Sequence, residues 1–332
     1  MKKILICIRV PEEALEKYKD RYEFAMPPKD KGSYTTEDVL PIAPQYDAII
    51  SHVRCKMQKE LIDACPNLKV IGSNGVGFDQ VDAKYAGEKG IPVINTPMAV
   101  MDPTAELALT LLLNVSRGIY FFDKRVRTLG NSSLPSFGTD VFNFARTPHG
   151  KTLGIVGFGR IGKTLARKAK AALDMNIIYY DPFKAPPEVE AELDAKQVDL
   201  ETLLKTSDYV SIHCPYIPEN HHLIGEKEFS LMKETAFLIN AARGPIVDEA
   251  ALVRALEEKQ IAGAGLDVYE NEPQVTKELF AFDNVILTPH IGTYTFENRS
   301  NMLQEVIGGV TAVLEGTDPA QIPNIANRAF LR

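Results

Sequence analysis

Three glycines within six residues could hold a diphosphate. Gly157, Gly159 and Gly162 follow a predicted strand at residues 151–157 and open a predicted helix at residues 160–174. The first glycine would permit a tight turn, the second would let a pyrophosphate approach the backbone, and the third would let helix and strand pack closely. The helix N-terminus would add free N–H groups and a partial positive charge.

An acid follows this turn at the expected distance. Residues 176–181 predict a second strand that ends in Asp181, nineteen residues after Gly162. An acid about 20 residues beyond the turn accepts hydrogen bonds from an adenosine ribose. Because Asp181 would repel a 2′-phosphate, the sequence favours NAD over NADP.

The same letters also fit a second phosphate-binding motif. Residues 157–164 (GFGRIGKT) match the loop of nucleotide hydrolases, in which Lys163 would reach the β- and γ-phosphates and Thr164 would hold Mg²⁺. Gly159 favours the dinucleotide interpretation, since only that turn requires it. A nucleotide hydrolase remains the alternative.

Bulk properties narrow the class of protein. A chain of 332 residues can bury two domain cores, and its net charge of −7 argues against broad nucleic-acid binding. The four cysteines lack metal-ligand spacing, so we expect free thiols, no metal and a reducing cytoplasm. No apolar stretch approaches the ~20 residues that span a bilayer, so we expect no membrane partner.

Short apolar runs alternate with helical patterns along the whole chain. This alternation predicts parallel sheets that are covered on both faces. Six strands in the second half is the number in a doubly wound nucleotide domain. The predicted strands are residues 4–8, 47–51, 68–73 and 91–95, and then 151–157, 176–181, 209–214, 236–240, 261–268 and 285–288.

Two long helices and one irregular segment complete this organisation. Asp102 as N-cap and Pro103 at the first helical position predict a helix to about residue 117. Residues 104–115 are apolar nearly all round, so they must be buried against something, such as another domain or a partner subunit. Residues 130–150 read as a connecting loop or an arm, and 296–314 predict a final helix.

Four sequence blocks in this order resemble the D-isomer-specific 2-hydroxyacid dehydrogenases, which include relatives of phosphoglycerate dehydrogenase, hydroxypyruvate reductase and D-lactate dehydrogenase. The resemblance covers nearly the full length. Together the blocks are far more specific than any one of them. They are residues 73–82 (SNGVGFDQVD), the glycine turn, residues 238–248 (LINAARGPIVD), and residues 265–273 (GLDVYENEP) with 288–292 (TPHIG).

The resemblance implies a fold and a domain arrangement. The expected fold is α/β, with two Rossmann-like or flavodoxin-like doubly wound parallel-sheet domains and an interdomain active-site cleft. Residues 1–101 and 294–332 would form a discontinuous catalytic, substrate-binding domain. Residues 102–293 would form the NAD-binding Rossmann domain. Family members usually form homodimers through their NAD domains, so a homodimer is expected.

The resemblance also implies the catalytic residues Arg243, Glu272 and His290. Reducing a 2-oxo acid needs a hydride at carbon and a proton at oxygen, and imidazole can exchange that proton because it ordinarily titrates near neutral pH. Glu272 would orient the ring of His290 and favour its charged form. Arg243 would clamp the substrate carboxylate with its bidentate guanidinium and polarise the carbonyl.

Further contacts follow from the matched positions. The glycine-flanked loop at Gly75 and Val76 would offer backbone N–H groups to the substrate carboxylate, as nests do. Asp267 would accept a hydrogen bond from the nicotinamide carboxamide. The full set implied for the cofactor is Val76, Thr104, Gly157, Gly159, Arg160, Ile161, Gly162, Asp181, Cys214, Ala241 and Asp267.

Several questions stay open at this stage. The substrate could be glyoxylate, hydroxypyruvate, phosphohydroxypyruvate, pyruvate or a branched-chain 2-oxo acid. Arg54 could bind a substrate anion or be solvated, and Tyr294 could reach the substrate, a dimer contact or neither. A non-catalytic NAD(H) sensor on the same fold is a second alternative. The intact Arg243, Glu272 and His290 argue against it, because a binding module does not need all three.

Overall fold

The chain folds into two compact units. The computed structural model describes residues 1–133 and 145–331, so the predicted loop or arm at 130–150 lies partly outside the described residues. The first unit comprises Met1–Val100 with Thr295–Arg332, and the second comprises Met101–Tyr294. Each unit is built on one parallel sheet, which confirms the predicted fold class.

The sheet of the first unit has five parallel strands in the order β2-β1-β3-β4-β5. Its central strands β3 and β4 are buried at every residue, as expected for strands covered on both faces. The sequence analysis missed β2, because this edge strand is only partly buried and carries no continuous apolar run. The strands are β1 Lys2–Ile6, β2 Tyr22–Ala25, β3 Ala48–Ser51, β4 Val70–Ser73 and β5 Val93–Ile94.

Four α-helices accompany this sheet in the described part of the first unit. The last of them packs directly on β4, where a Cβ added to Gly72 would lie 2.9 Å from Cγ2 of Val306. Its N-cap is Thr295, whose hydroxyl accepts the N–H of Asn298. The helices are α1 Thr36–Val39, α2 Lys59–Asp63, α3 Ala83–Glu88 and α11 Phe296–Leu314.

The sheet of the second unit has seven parallel strands in the order β12-β11-β10-β9-β6-β7-β8. The predicted six are present. The seventh, β8, was missed because it consists of two exposed polar residues at the sheet edge. The chain order reverses at β6, the kind of switch point where α/β sheets bind ligands. The strands are β6 Thr152–Val156, β7 Asn176–Tyr180, β8 Lys196–Gln197, β9 Tyr209–Ile212, β10 Phe237–Asn240, β11 Gly263–Leu266 and β12 Val285–Leu287.

One predicted helix boundary in this unit is wrong. The helix begins at Met101, so Asp102 and Pro103 lie within its first turn rather than at the N-cap and the first position. Pro103 is tolerated there because the first-turn N–H groups have no intrahelical partner. The helices of the second unit are α4 Met101–Arg117, α5 Ile119–Leu129, α6 Arg160–Leu173, α7 Pro187–Leu193, α8 Leu200–Thr206, α9 Glu226–Leu231 and α10 Glu249–Glu257.

Helix α4 is buried within its own unit. Ala108, Leu111 and Val115 belong to the core that also contains strands β6 and β10. A Cβ added to Gly265 in β11 would lie 3.0 Å from Cβ of Leu111, which shows how closely the helix approaches the sheet. The helix thus packs on the sheet of its own unit, where the sequence analysis suggested another domain or a partner subunit, and three leucines of the apolar run remain only partly buried.

Among the described helices, none alone has the length and apolar character of a membrane span. Helices α4 and α5 pass that test only as a pair, with a bend of 58° between them.

Candidate active site

The glycine turn after β6 uses each of its glycines differently. Gly157 has φ of +94°, and a Cβ there would lie 2.3 Å from the backbone N of Cys214. A Cβ on Gly162 would lie 2.4 Å from the carbonyl oxygen of Gly157. At Gly159, by contrast, a Cβ would meet no heavy atom within 4 Å. Two positions are therefore closed by protein backbone, and the middle one is open to a ligand.

Asp181 lies against this turn. One of its carboxylate oxygens accepts the N–H of Phe158 at 2.8 Å, and the other accepts the N–H of Phe183 at 2.9 Å. Arg160 is exposed at the first position of α6, and Ile161 beside it is half-buried. An open glycine, a helix N-terminus and an adjacent carboxylate fit a bound dinucleotide.

Three other residues implied for the cofactor also lie in this unit. Cys214 follows β9 and abuts Gly157, and burial raises the pKa of its thiol to about 11. Ala241 is half-buried directly after β10. Thr104 is buried in α4, with its hydroxyl oxygen 3.7 Å from the position of a Cβ on Gly292.

Asp267 braces the segment that follows β12. Its buried carboxylate accepts hydrogen bonds from the Thr288 hydroxyl at 2.6 Å, the Ile291 N–H at 2.8 Å and the Gly292 N–H at 2.8 Å. Burial raises the pKa of Asp267 and outweighs these hydrogen bonds, which act in the opposite direction. The sequence analysis implied only a contact of Asp267 with the nicotinamide and did not predict these hydrogen bonds.

His290 and Glu272 form a hydrogen-bonded pair. Nδ1 of His290 lies 2.9 Å from Oε2 of Glu272, and Oε1 of Glu272 accepts the N–H of Tyr269 at 3.1 Å. Burial acts to raise the pKa of Glu272, but the hydrogen bond and charge of His290 lower it further, so the net shift is downward. With Nδ1 committed to Glu272, Nε2 is the nitrogen left to meet a reactant.

The backbone of His290 has a strained, left-handed conformation. Its φ is +55°, a left-handed conformation that costs about 1–3 kcal/mol for a non-glycine residue. The N–H of His290 donates to the carbonyl oxygen of Asp267 at 2.9 Å, and the next two N–H groups go to the Asp267 carboxylate. These bonds hold the imidazole in place against the strain.

Arg243 follows β10 in a turn held by Asn240. Oδ1 of the buried Asn240 accepts the N–H of Ala242 at 3.0 Å, and its Nδ2 donates to the carbonyl oxygen of Arg243 at 3.0 Å. The positive charge of Arg243 contributes to the lowered pKa of Glu272. The structure thus brings Arg243, Glu272 and His290 together. Sequence reasoning missed Asn240, although an amide that ends an apolar strand is a detectable signal.

The loop after β4 lies in the first unit. The carbonyl oxygens of Gly75, Val76 and Gly77 accept hydrogen bonds from the Thr96 N–H at 3.0 Å, the Asn95 amide at 2.9 Å and the Ser73 hydroxyl at 3.0 Å. Within residues 1–133 and 145–331, no acceptor is found for the N–H groups of Val76 and Gly77. The loop therefore offers donors to an anion.

The two residues of open function are both exposed. Arg54 lies at the surface beyond β3, and its charge contributes to a lowered pKa of the half-buried His52, after burial and Arg299. The side chain of Tyr294 is at the end of the second unit, and the residue is 67% exposed. The positions of Arg54 and Tyr294 do not alter the set of residues assigned to the candidate active site.

The phosphate-loop alternative is not supported by this geometry. The hydroxyl of Thr164 donates to the carbonyl oxygen of Arg160 at 3.0 Å, an ordinary bond within α6. The ammonium of Lys163 lies 6.0 Å above the ring of Phe158. Both residues behave as ordinary residues near the start of α6. The sensor alternative is not supported either, since the matching family is one of dehydrogenases and similar proteins include a glyoxylate reductase and a D-lactate dehydrogenase.

Comparison with known proteins agrees with the site. Residues 109–292 match the family model of the D-isomer specific 2-hydroxyacid dehydrogenase, NAD binding domain. A glyoxylate reductase of Thermococcus litoralis is 43% identical over 330 residues, covering 99% of this chain and 98% of that protein.

Two crystal structures are similar over nearly the whole chain. A glyoxylate reductase from Paecilomyes thermophila is 34% identical with a TM-score of 0.85, covering 96% of this chain and 99% of that one. A D-lactate dehydrogenase from Aquifex aeolicus, complexed with NAD and lactic acid, is 30% identical with a TM-score of 0.82, covering 98% and 99%. The chain therefore belongs to the D-isomer specific 2-hydroxyacid dehydrogenase family and is an NAD-dependent oxidoreductase.

Proposed function

We propose that this enzyme reduces small 2-oxo acids to D-2-hydroxy acids, with His290 as proton donor, Glu272 as its orienting partner and Arg243 as the substrate clamp. The observation that carries the proposal is the 2.9 Å hydrogen bond between Nδ1 of His290 and Glu272, formed where Arg243 also lowers the pKa of that carboxylate. A histidine, a carboxylate and a guanidinium suffice for proton transfer and carboxylate binding.

Each side chain has a separate task in this reaction. NAD in its reduced form, when bound, supplies the hydride that reaches the carbonyl carbon. His290 gives the proton on Nε2 to the carbonyl oxygen and takes it back in the oxidation direction. Glu272 fixes the ring through Nδ1 and stabilises the imidazolium. Arg243 holds the substrate carboxylate in two parallel hydrogen bonds and stabilises charge that develops on the oxygen.

Glyoxylate is the first substrate to test. The relatives from Thermococcus litoralis and Paecilomyes thermophila both carry the name glyoxylate reductase. We propose that the first unit, near residues 1–101 and 294–332, binds substrate at the loop of Gly75 and Val76. The N–H groups of Val76 and Gly77 would serve the carboxylate, since the N–H of Gly75 already donates to the carbonyl oxygen of Ser73 at 2.9 Å. Hydroxypyruvate, phosphohydroxypyruvate, pyruvate and branched-chain 2-oxo acids remain candidates on the same chemistry.

The cofactor contacts complete the proposal. The second unit, near residues 102–293, would bind NAD through the glycine turn, with Gly159 and the start of α6 at the pyrophosphate and Asp181 at the ribose. Cys214 would lie near the adenosine, and Val76 and Thr104 would also touch the cofactor. Ala241 and Asp267 would lie near the nicotinamide. The Asp181 carboxylate favours NAD over NADP.

A substrate panel tests the reaction directly. The loss of NADH absorbance at 340 nm would be followed with glyoxylate, hydroxypyruvate, phosphohydroxypyruvate, pyruvate and 2-oxoisocaproate, each repeated with NADPH. We expect turnover of at least one small 2-oxo acid with NADH. NADH binding without turnover on any of the five would contradict the proposed substrate class.

The variant His290→Ala tests the proton donor. We expect kcat to fall by about 10²–10⁴, the usual contribution of general acid–base catalysis, with NADH affinity nearly unchanged. His149→Ala, which removes an exposed histidine elsewhere in the second unit, is the matched control and should keep full activity. An unchanged rate in His290→Ala would remove His290 from the mechanism.

We also propose a homodimer, supported by the surface of α5. None of its residues is buried in the chain, and Ile119, Tyr120, Val126 and Leu129 are each 45–50% exposed. Exposed apolar side chains on one helix are typical of a protein contact. Light scattering at micromolar concentration should give twice the chain mass, and Val126→Asp should lower it.

We propose a cytoplasmic location, supported by the cysteines. All four are free thiols, and Cys7, Cys55 and Cys65 are buried. Unpaired buried cysteines suit a reducing compartment. Cell fractionation should recover the activity with cytosolic markers, and recovery with secreted or membrane fractions would contradict the proposal.

A further inference from the structure

A second histidine–carboxylate pair lies in the same unit as the proposed catalytic pair. Nε2 of His222 is 2.8 Å from Oε1 of Glu270, and Nδ1 of His222 is 3.9 Å from Oδ2 of Asp248. Both members of the pair are partly buried. Neither residue has a task in the proposed reaction.

The backbone around His222 is docked on the turn that carries Arg243. The N–H of His222 donates to the carbonyl oxygen of Pro245 at 2.9 Å, and the N–H of Ile224 donates to that of Ile246 at 3.1 Å. Pro245 is two residues beyond Arg243. His222 is therefore attached to this turn by its main chain.

Glu270 belongs to the segment that carries Glu272. Its N–H donates to the buried Glu249 carboxylate at 2.7 Å. The adjoining backbone meets Gly244 so closely that a Cβ there would lie 1.9 Å from the carbonyl carbon of Tyr269. The N–H of Tyr269 in turn donates to Oε1 of Glu272. The His222 side chain thus ties the Arg243 turn to the Glu272 segment.

The backbone conformation of His222 supports a positioning role for this tie. Its φ is +52°, in the left-handed region that costs a non-glycine residue about 1–3 kcal/mol. Such strain persists only where surrounding contacts compensate for it. Here those contacts are the bonds to Pro245 and Glu270.

Metal binding is the competing explanation for this cluster, because His221, His222 and Glu270 could together offer three ligand atoms. The rings of His221 and His222, however, are stacked with centroids 3.9 Å apart and an interplanar angle of 21°. A metal ion must lie close to the plane of each ligating imidazole, about 2.0–2.1 Å from the nitrogen. Stacked, nearly parallel rings do not share such a point, so the arrangement favours a hydrogen-bonded tie.

We propose that the His222–Glu270 pair is a positioning device that holds the Arg243 turn against the segment of Tyr269 and Glu272. This inference rests on the proposed roles of Arg243 and Glu272. Without the tie, the guanidinium and the carboxylate that orients His290 would each lose a fixed neighbour. Misplacement of such groups by about 1 Å can cost 10²-fold in rate.

The first experiment compares His222→Asn with the wild type. Asparagine tolerates positive φ, so the backbone conformation is preserved while the reach to Glu270 is lost. We expect KM for the 2-oxo acid to rise about 10-fold and kcat to fall about 10-fold, while the Kd of NADH changes less than twofold. A thermal unfolding curve confirms that the variant is folded.

Glu270 supplies the conservative rescue and a double-mutant cycle. Glu270→Gln retains an oxygen acceptor for the His222 N–H and should stay within threefold of wild type, whereas Glu270→Ala should match His222→Asn. The double variant should be no worse than either single variant, because one interaction is lost in all three. Multiplying effects, or full activity in both His222→Asn and Glu270→Ala, would overturn the proposal.

Two further measurements distinguish a failure of the proposed function from a failure of the proposed tie. Hydrogen exchange of the amides in residues 244–248 and 269–272 should speed up in His222→Asn, a readout that needs no turnover. If the wild type fails on every 2-oxo acid while exchange responds as expected, the proposed function fails and the tie stands. His221→Ala should be near wild type with or without added Zn²⁺; an activity that depends on Zn²⁺ and on His221 would show a metal site and overturn the tie.

Discussion

The glycine turn after β6 and the loop after β4 occupy equivalent places in two parallel sheets. In each sheet the next strand, β7 or β5, pairs directly with the strand before the turn. Beyond β7 lies Asp181, whose carboxylate accepts the N–H of Phe158 in the glycine turn. Beyond β5 lies Asn95, whose amide donates to the carbonyl oxygen of Val76.

Because of this difference, the two turns offer opposite hydrogen-bonding groups to a ligand. Asp181 places negative charge beside the glycine turn, which suits ribose hydroxyls as hydrogen-bond donors. Asn95 is neutral, and its amide occupies the carbonyl oxygen of Val76 as a hydrogen-bond acceptor. The N–H donors that remain in the loop suit a carboxylate. The sheet supplies the position in both cases, and on the proposed function the residue after the neighbouring strand would select the ligand.

A second parallel concerns a histidine beside each turn. His213 follows β9, the other neighbour of β6, and His52 follows β3, the other neighbour of β4. In each ring Nδ1 is buried with no hydrogen-bond partner among the described residues. Burial lowers the pKa of His213 to about 4, whereas for His52 burial is assisted by the charges of Arg299 and Arg54. Among these two histidines, only the one beside the loop that we propose binds a carboxylate has its pKa lowered by neighbouring cations.

The largest expected effect comes from two alanines in the glycine turn. Gly157→Ala places a Cβ 2.3 Å from the backbone of Cys214 at φ of +94°, so we expect a loss of about 3 kcal/mol or more in unfolding free energy and no NADH binding. Gly159→Ala meets nothing within 4 Å and should fold normally while binding NADH at least 10-fold more weakly. Calorimetry and fluorescence titration measure both. Normal NADH affinity in Gly159→Ala would show that the pyrophosphate lies elsewhere.

Next in size is a charge placed in the other turn. Val76→Asp adds a carboxylate to the loop that offers N–H donors, so KM for the 2-oxo acid should rise about 10-fold or more through repulsion, about 1.4 kcal/mol. Steady-state kinetics measure this KM, and a fluorescence titration with NADH separates it from any loss of the cofactor contact that we also propose for Val76. Val53→Asp, at a more exposed position in the same unit, is the control. Equal effects of the two variants would remove the loop from substrate binding.

A smaller effect is expected at Asp181. Asp181→Asn keeps an oxygen near the Phe158 N–H but removes the charge, so NADH affinity should fall about 10-fold while NADPH affinity falls less or rises. The ratio of the two dissociation constants is the informative quantity. An equal loss for both cofactors would place the ribose away from Asp181.

The smallest effect is a pH dependence of stability from His213. Its pKa is about 4 in the folded chain and about 6.5 when unfolded, so the unfolded chain binds the proton first as pH falls. Stability should therefore drop below pH 6.5, by about 1 kcal/mol between pH 7 and 5.5. Denaturant unfolding should show this slope, and His213→Gln should flatten it. An unchanged slope in that variant would show that the ring of His213 is accessible to water.

Much of the fold was predictable because buried parallel strands leave continuous apolar runs. Strands β3, β4, β9 and β10 are buried at every residue and were all found. Strands β2 and β8 were missed because edge strands need no such run. Helix starts were harder, since Asp102 has the right type for an N-cap while the helix already begins at Met101.

The residues of the candidate site also divide into those that the sequence could predict and those that it could not. Residues inside recognisable blocks, such as Gly157, Arg243 and His290, could be proposed from the sequence. Asn240 was missed although its partners Ala242 and Arg243 lie only two and three residues further along the chain. The pair of His222 with Glu270 could not be proposed, because its members lie at a distance along the chain that no local pattern reports. The pair is separated by 48 residues.

The carboxylate of Asp267 has a consequence for how this chemistry could be transferred. Its hydrogen bonds reach no further than Gly292, a separation of 25 residues, and the bond of Glu272 to His290 falls inside that span. The hydrogen bonds that join Asp267, Glu272 and His290 therefore lie in one short stretch of chain, whereas the turn at Gly157 depends on Cys214, far along the sequence. Exchanging residues 267–292 between relatives would move these bonds together, provided that the recipient also supplies the partner of Glu270 at the position of His222.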